Sequence, residues 1–266
     1  GAAPFAPAIT VAGLLVHRPA VDVHTVGAGG GSYVRIDEGG ALRVGPESAG
    51  AVPGPASYGR GGRRPTVTDA NVVLGRLPAD RPLAGGLRLD GRAAREALAP
   101  IALRLGLDVE RTALGVLAVV NAAMERALRR VSVERGHDPR QHVLVAFGGA
   151  GPVHACALAD LLGIAEVLVP IAPGALSALG LAVAPPATTV SRSVLRARGV
   201  AVDIEQCDAV LAALEAQAAA SMHALEPSRC ELSVDARYAG QSWELTLPWP
   251  GTLDALREAF HEAHRV

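Results

Sequence analysis

Lysine is missing from this chain: all 25 basic side chains among its 266 residues are arginine. That excludes Walker-type phosphate loops, Schiff-base and pyridoxal lysines, and Ser–Lys nucleophile pairs. Any phosphate has to be held by backbone N–H groups, a metal ion or arginine. Cysteine is scarce too. Cys156, Cys207 and Cys230 are odd in number, far apart and form no C-x-x-C pair. This speaks against a disulfide framework or structural zinc and for a reducing, cytoplasmic setting. Aromatic residues make up only 3%, so a core has to be built from Ala, Val and Leu. Charge nearly cancels, at a net −1, which leaves no global attraction to nucleic acid or an anionic membrane; neither is expected as a partner. The longest uncharged stretch, residues 167–190, is cut by Pro170, Pro173, Gly174, Gly180, Pro185 and Pro186 into pieces too short to cross a bilayer. What is present is a 50% hydrophobic composition, enough for a folded core, with 30 glycines and 19 prolines, short of a disordered composition.

Residues 21–26 read as a buried strand running into Gly27-Ala28-Gly29-Gly30-Gly31-Ser32. A second strand at 33–37, a turn at Glu38-Gly39-Gly40 and a third strand at 41–44 follow. Residues 45–65 read as a loop, a length that in a compact domain is usually functional or covered by a partner. Thr68-Asp69 caps a helix through Leu74. Longer helices are predicted over 91–105, capped by Asp90, and over 110–135, ended by Gly136. Their apolar faces carry Ala94, Leu98, Ile101 and Leu105 in the first, and Leu114, Leu117, Val120, Met124 and Leu128 in the second. Then come a strand at 143–147, the turn Gly148-Gly149-Ala150-Gly151, a helix over 152–162, a strand at 166–169 and a small-residue helix over 174–184. Beyond Pro185-Pro186 an Ala-rich helix over 204–224 precedes two alternating strands, 230–238 and 242–247. The chain thus divides into 1–190 and a small C-terminal α+β subdomain, 191–266. It opens on Gly1 and stops inside a helical pattern at Val266, so both ends are expected to be cut from a longer protein.

Glycine loops beside strands let backbone N–H groups approach a phosphate, because no Cβ intervenes. The first, at 27–32, ends on Ser32 and leads into a strand, whereas a dinucleotide fingerprint needs a third glycine and a helix. A glycine-rich turn within a hairpin is instead how actin-like and sugar-kinase-like ATPases grip phosphates without lysine. The second, Gly148, Gly149 and Gly151, follows a strand and opens a helix with Pro152 in its first turn, an anion site by its N–H groups and dipole. For either loop alone, a tight turn is the competing reading.

Several strings together resemble the hydantoinase A/5-oxoprolinase family. They are Asp22-Val23-His24-Thr25-Val26-Gly27-Ala28-Gly29-Gly30-Gly31-Ser32, Val44-Gly45-Pro46-Glu47-Ser48-Ala49-Gly50-Ala51 with Pro53-Gly54-Pro55, and Pro65-Thr66-Val67-Thr68-Asp69-Ala70-Asn71. Glu134-Arg135-Gly136-His137-Asp138-Pro139-Arg140, Ala146-Phe147-Gly148-Gly149-Ala150-Gly151-Pro152 and Asp235-Ala236-Arg237-Tyr238-Ala239-Gly240-Gln241-Ser242 continue the match. The resemblance spans essentially the whole chain in order. It implies an α/β, actin-like (ribonuclease H-like) ATPase domain, incomplete at its N-terminus. It also implies ATP with Mg²⁺, and opening of a small cyclic amide (hydantoin, 5-oxoproline or a similar lactam) or the related carboxylation of a ketone. In lactam-opening members ATP is taken to phosphorylate the amide oxygen before water attacks. A B-type hydantoinase subunit is the implied partner; a noncatalytic, partner-docking role is the reading from a different class. The family's opening Asp-x-Gly-Gly-Thr loop has no counterpart, and Ser57 stands where the family pattern leads us to expect cysteine.

On this reading Gly27, Gly29, Gly30, Gly31 and Ser32 hold phosphate, and Gly148, Gly149 and Gly151 lie nearer the adenosine. Asp22 and His24 alternate along a strand and face one side. They are the catalytic candidates, with Asp22 as the metal ligand through water and His24 as an acid/base; a hydrogen-bonded pair bracing the glycine turn is the alternative. His154 reaches either ligand or core. Arg60, Arg63 and Arg64 suit phosphate or a substrate carboxylate, or form a solvated cluster. Glu134, His137 and Asp138 read as a turn, and His261 and His264 lack the spacing of a zinc helix.

Overall fold

A computed structural model of the chain describes residues 5–6, 9–11, 14–16, 20–194, 204–222 and 229–265. Two compact units divide it, Gly1–Ala182 and Val183–Val266. In the first, short hairpin pieces open the chain. β1 (Phe5–Ala6) pairs antiparallel with β4 (Ala20–Val21), around β2 (Ile9–Val11) and β3 (Leu14–Val16), which pair with each other. The expected strand at 21–26 does not form beyond Val21: Val23 is 70% exposed and Val26 42%, so no core draws these valines in. β5 (Ser32–Ile36) instead takes as its partner β6 (Leu42–Ser48), across a turn in which the Asp37 carboxylate accepts the Ala41 N–H at 2.8 Å. The glycine loop therefore leads into a hairpin rather than forming its turn. β6 also runs through Ser48, into what reads from the sequence as loop.

The core behind this hairpin is aliphatic, as the lack of aromatics requires. Val34 of β5 packs with Val67 and Ala70 of α1 (Val67–Val73), Leu98 of α2 (Gly91–Leu105), and Ala113, Val116, Leu117 and Val120 of α3 (Val109–Val131). α2 starts where Asp90 accepts the N–H groups of Arg92 and Ala93, and ends at left-handed Gly106. α3 is capped by Asp108. Of its expected stripe Leu117 and Val120 are buried, but Leu114 is 52% exposed, and Ala113 and Val116 are wholly buried instead. The helix also stops early. Ser132 Oγ donates to the Leu128 carbonyl at 2.7 Å, a side-chain bond that competes with the helical ladder, and the chain tightens into a 3-10 turn over Val133–Arg135 before Gly136.

β7 (Val143–Val145), α4 (Gly151–Leu162) and β8 (Glu166–Leu168) form the expected strand–helix–strand unit, with β7 and β8 parallel. Val145 pairs with Leu168 and Val143 with Glu166, so these four share one face of the sheet. α5 (Leu176–Val183) follows a 3-10 turn at Pro173–Ala175. The second unit contains α6 (Ile204–Ser221), the antiparallel pair β9 (Ser233–Ala236) and β10 (Leu245–Pro248), and α7 (Leu253–Ala263). Residues 223 and 224 of the helix expected there lie outside the described residues. Tyr238 packs edge-on to Phe260 at 4.8 Å, and its hydroxyl shares a hydrogen bond with His261 Nδ1 at 2.6 Å. The architecture is mixed α/β. Among the described residues no helix is long and apolar enough to cross a membrane.

Candidate functional site

In the 27–32 loop, Gly30 and Gly31 have no room for a side chain. A Cβ on Gly30 would lie 2.9 Å from Thr68 Oγ1 and 3.3 Å from the Ala150 Cβ; one on Gly31 would lie 2.7 Å from Ser48 Oγ. The proximity of Gly30 to Ala150 brings the two glycine loops, far apart in sequence, against each other.

The carbonyls of the first loop are tied inward. Gly29 O accepts the Ser32 N–H at 3.0 Å, Gly31 O accepts the Ala49 N–H at 2.8 Å, and Gly30 O accepts both the N–H of Thr68 at 2.8 Å and its hydroxyl at 2.9 Å. Ser32 Oγ, in turn, accepts the Gly29 N–H at 3.0 Å. The N–H groups of Gly30 and Gly31 have no acceptor among the described residues. In the second loop Gly148 takes a left-handed φ of 86° and donates to Pro173 O at 2.8 Å, while the N–H groups of Gly149, Ala150 and Gly151 are likewise open. Both loops are partly exposed and present N–H groups without a protein acceptor among the described residues, and in the first the carbonyls of Gly29, Gly30 and Gly31 are engaged; open backbone N–H groups of this kind can meet an oxyanion. The residues fit a nucleotide's phosphates.

Side chains that the sequence reading passed over complete the surroundings. Ser48 and Thr68 place hydroxyls against the loop. Arg76 lines a shallow groove with Pro152, Val153 and Cys156 at the start of α4, and it has no ion-pair partner among the described residues. Only the proximity of the two chain segments could have exposed these three, and no local pattern reports that.

The other candidates are placed as follows. Asp22 is ion-paired with Arg135, whose hydrogen bond holds the Asp22 carboxyl below its ordinary range; His24 adds a smaller attraction in the same direction. The carboxylate thus answers a guanidinium, and among the described residues no three His, Cys, Asp or Glu side chains gather as a cation site. His154 is wholly buried, with Nδ1 2.8 Å from Asn121 Oδ1 and Nε2 without a partner. Burial, then the charge of Arg76, lowers its pKa, which keeps the imidazole neutral. It ties the first turn of α4 to α3.

Arg64 stacks over the Tyr33 ring at 3.7 Å and donates twice to Glu47 at 3.2 Å; Arg60 reaches Ala51 O at 3.5 Å; Arg63 is exposed. Asp138 caps the turn that follows it and pairs with Arg140 at 2.7 Å; that hydrogen-bonded guanidinium lowers its pKa to about 2. Ser57 is wholly buried, its N–H on Asp69 at 2.8 Å.

The hydantoinase/oxoprolinase family model matches residues 1–190. The chain is 39% identical over 264 residues to the caprolactamase subunit alpha of Pseudomonas jessenii, covering 93% of this chain and 38% of the relative. The solved structure of the ATP-dependent caprolactamase from that organism superposes with a TM-score of 0.68 at 37% identity, over 94% of this chain and 38% of that one. A nucleotide-free acetone carboxylase structure, described under ATP-dependent acetone carboxylation, superposes with a TM-score of 0.73 at 28% identity, over 96% of this chain and 39% of that one. The chain spans less than two fifths of the length of these proteins.

Proposed function

The chain belongs to the hydantoinase/oxoprolinase family, and from that premise we propose that it is the nucleotide-binding part of an ATP-dependent enzyme that opens a cyclic amide by hydrolysis. The observation that carries this reading is the apposition of the two glycine loops at Gly30 and Ala150, each with open N–H groups. Gly30 and Gly31 take the phosphates, with Gly27, Gly29 and Ser32 shaping that loop. Gly148, Gly149 and Gly151 lie on the nucleoside side, and Arg76 lines the groove beside Pro152 and Val153 that follow them in the chain. One loop leading into a hairpin, and one opening a helix after a parallel strand, support an actin-like ATPase fold for the first unit.

ATP supplies an activating phosphoryl group for the amide oxygen, so that water can attack a carbon otherwise protected by amide resonance. The chain's own contribution is electrostatic and positional: fixed backbone dipoles meet the phosphate charge without reorganising. Mg²⁺ accompanies the nucleotide. Asp22 serves it through water only if the carboxylate leaves Arg135, with His24 beside it as the acid/base candidate. A B-type partner subunit is part of the proposal, in line with a relative that is itself a subunit alpha. The cytoplasm is the proposed setting, on the cysteine pattern.

The likeness to acetone carboxylase favours a second reading, ATP-dependent carboxylation of a small ketone. One assay separates the two. Phosphate release from ATP is followed with no addition, with a lactam (caprolactam, 5-oxoproline or hydantoin), and with acetone plus bicarbonate. Lactam-dependent release, with the ring-opened amino acid as product, is the expected result. Release that needs ketone and bicarbonate selects the second reading, and equal release in all three arms sinks both.

A further inference from the structure

The hydroxyl of Thr68, at the start of α1, is buried and reaches across 38 positions of sequence to the carbonyl of Gly30 at 2.9 Å. The Thr68 N–H reaches the same oxygen at 2.8 Å. Two donors on one carbonyl fix the orientation of the Gly30–Gly31 peptide. In a planar trans peptide the carbonyl and the N–H point in opposite directions. Holding the Gly30 oxygen against α1 therefore turns the Gly31 N–H away from α1, where it has no protein acceptor. The anchor is itself rigid: Thr66 caps α1, and the neighbouring Asp69 carboxylate binds Thr66 N–H and Oγ1, both at 2.8 Å.

We infer that Thr68 is a positioning residue for the phosphate loop, orienting the Gly31 N–H toward bound phosphate through its grip on the Gly30 carbonyl. The inference rests on the nucleotide reading above. Thr68 does not touch the ligand; it sets the direction of a dipole that does. Valine has nearly the same shape and no hydroxyl, so Thr68→Val removes one of the two donors and leaves the backbone bond. Thr68→Ser keeps both.

The test is ATP binding to the full chain by isothermal titration, with thermal unfolding measured in parallel. Thr68→Val is expected to weaken ATP binding by about five- to tenfold, the net worth of one neutral hydrogen bond. Thr68→Ser is expected to bind like the parent, and all three proteins to unfold at closely similar temperatures. A Thr68→Val protein that binds ATP as tightly as the parent overturns the inference and leaves the nucleotide reading standing. A parent chain that binds no ATP brings down both. Should the valine variant fold poorly, Thr68→Ala with amide hydrogen exchange at Gly31 and Ser32 takes its place. Faster exchange confined to the loop, with weaker ATP binding, supports the inference, and unchanged exchange overturns it.

Discussion

His154 shows how much one side chain can be asked to do without touching solvent. It is wholly buried between α3 and α4, shares a hydrogen bond with Asn121, and stays neutral because burial and the charge of Arg76 oppose protonation. The unfolded chain protonates histidine near its ordinary pKa of 6.5, whereas folded His154 does so only at lower pH. Below that ordinary value the unfolded state binds more protons, so stability is full above it and falls as the pH drops toward the lowered folded value. Replacing His154 with Gln, which is neutral throughout and can still donate to Asn121, should flatten that dependence by up to ~1.4 kcal/mol per pH unit inside the window. Thermal unfolding from neutral to mildly acidic pH checks it; equal slopes in both proteins would show that His154 is protonated in the fold. The sequence marks His154 as a residue to watch but leaves its direction open, since the first turn of a helix faces ligand or core according to what packs on it.

At the scale of elements, α1 is the fastener of the site. Seven residues long, it could not persist alone; its Asp69 and Thr68 make it worth forming. The buried Asp69 carboxylate accepts from Ser57 N at 2.8 Å, Ala56 N at 3.3 Å, and Thr66 N and Oγ1, which pins the 45–65 segment to the helix. Asp69→Ala should cost about 3 kcal/mol or more, because it orphans several buried donors at once. Urea unfolding measures the cost. Limited proteolysis should show new cleavage between residues 49 and 65; a variant as resistant as the parent would mean the segment is held by other contacts. The helix was legible but its cap was misplaced: Thr68-Asp69 was expected to start it, whereas Thr66 is the N-cap and Asp69 closes the capping box from the first turn. That the same carboxylate also holds a loop twelve and thirteen positions back was not. The 3.6-residue period likewise located α2 and α3 and placed Leu117 and Val120 inward, but packing against β5 and α1 put Ala113 and Val116, rather than Leu114, in the core beside them.

The whole molecule carries an unfinished sheet. β7 and β8 are parallel, and parallel sheets are normally covered on both faces. Yet Val143, Val145 and Leu168, on one face, are between 46% and 54% exposed. This apolar surface should drive concentration-dependent association of the chain. Substituting Val145 and Leu168 together with Gln should reduce that association in light scattering and change stability by no more than about 1 kcal/mol, as exposed positions allow. Association that persists unchanged would assign it to another surface. The sequence by itself determined the exclusion of lysine-based chemistry, the aliphatic core, the Asp90 cap, the strand–helix–strand unit and the family, because each is written in composition, local spacing or contiguous motifs. Only the tertiary structure decided that Gly30 meets Ala150 and Thr68, that Asp22 answers Arg135, and that His154 points inward to Asn121. Those partners lie tens of residues or more apart, and packing, which no local period encodes, is what brings them together.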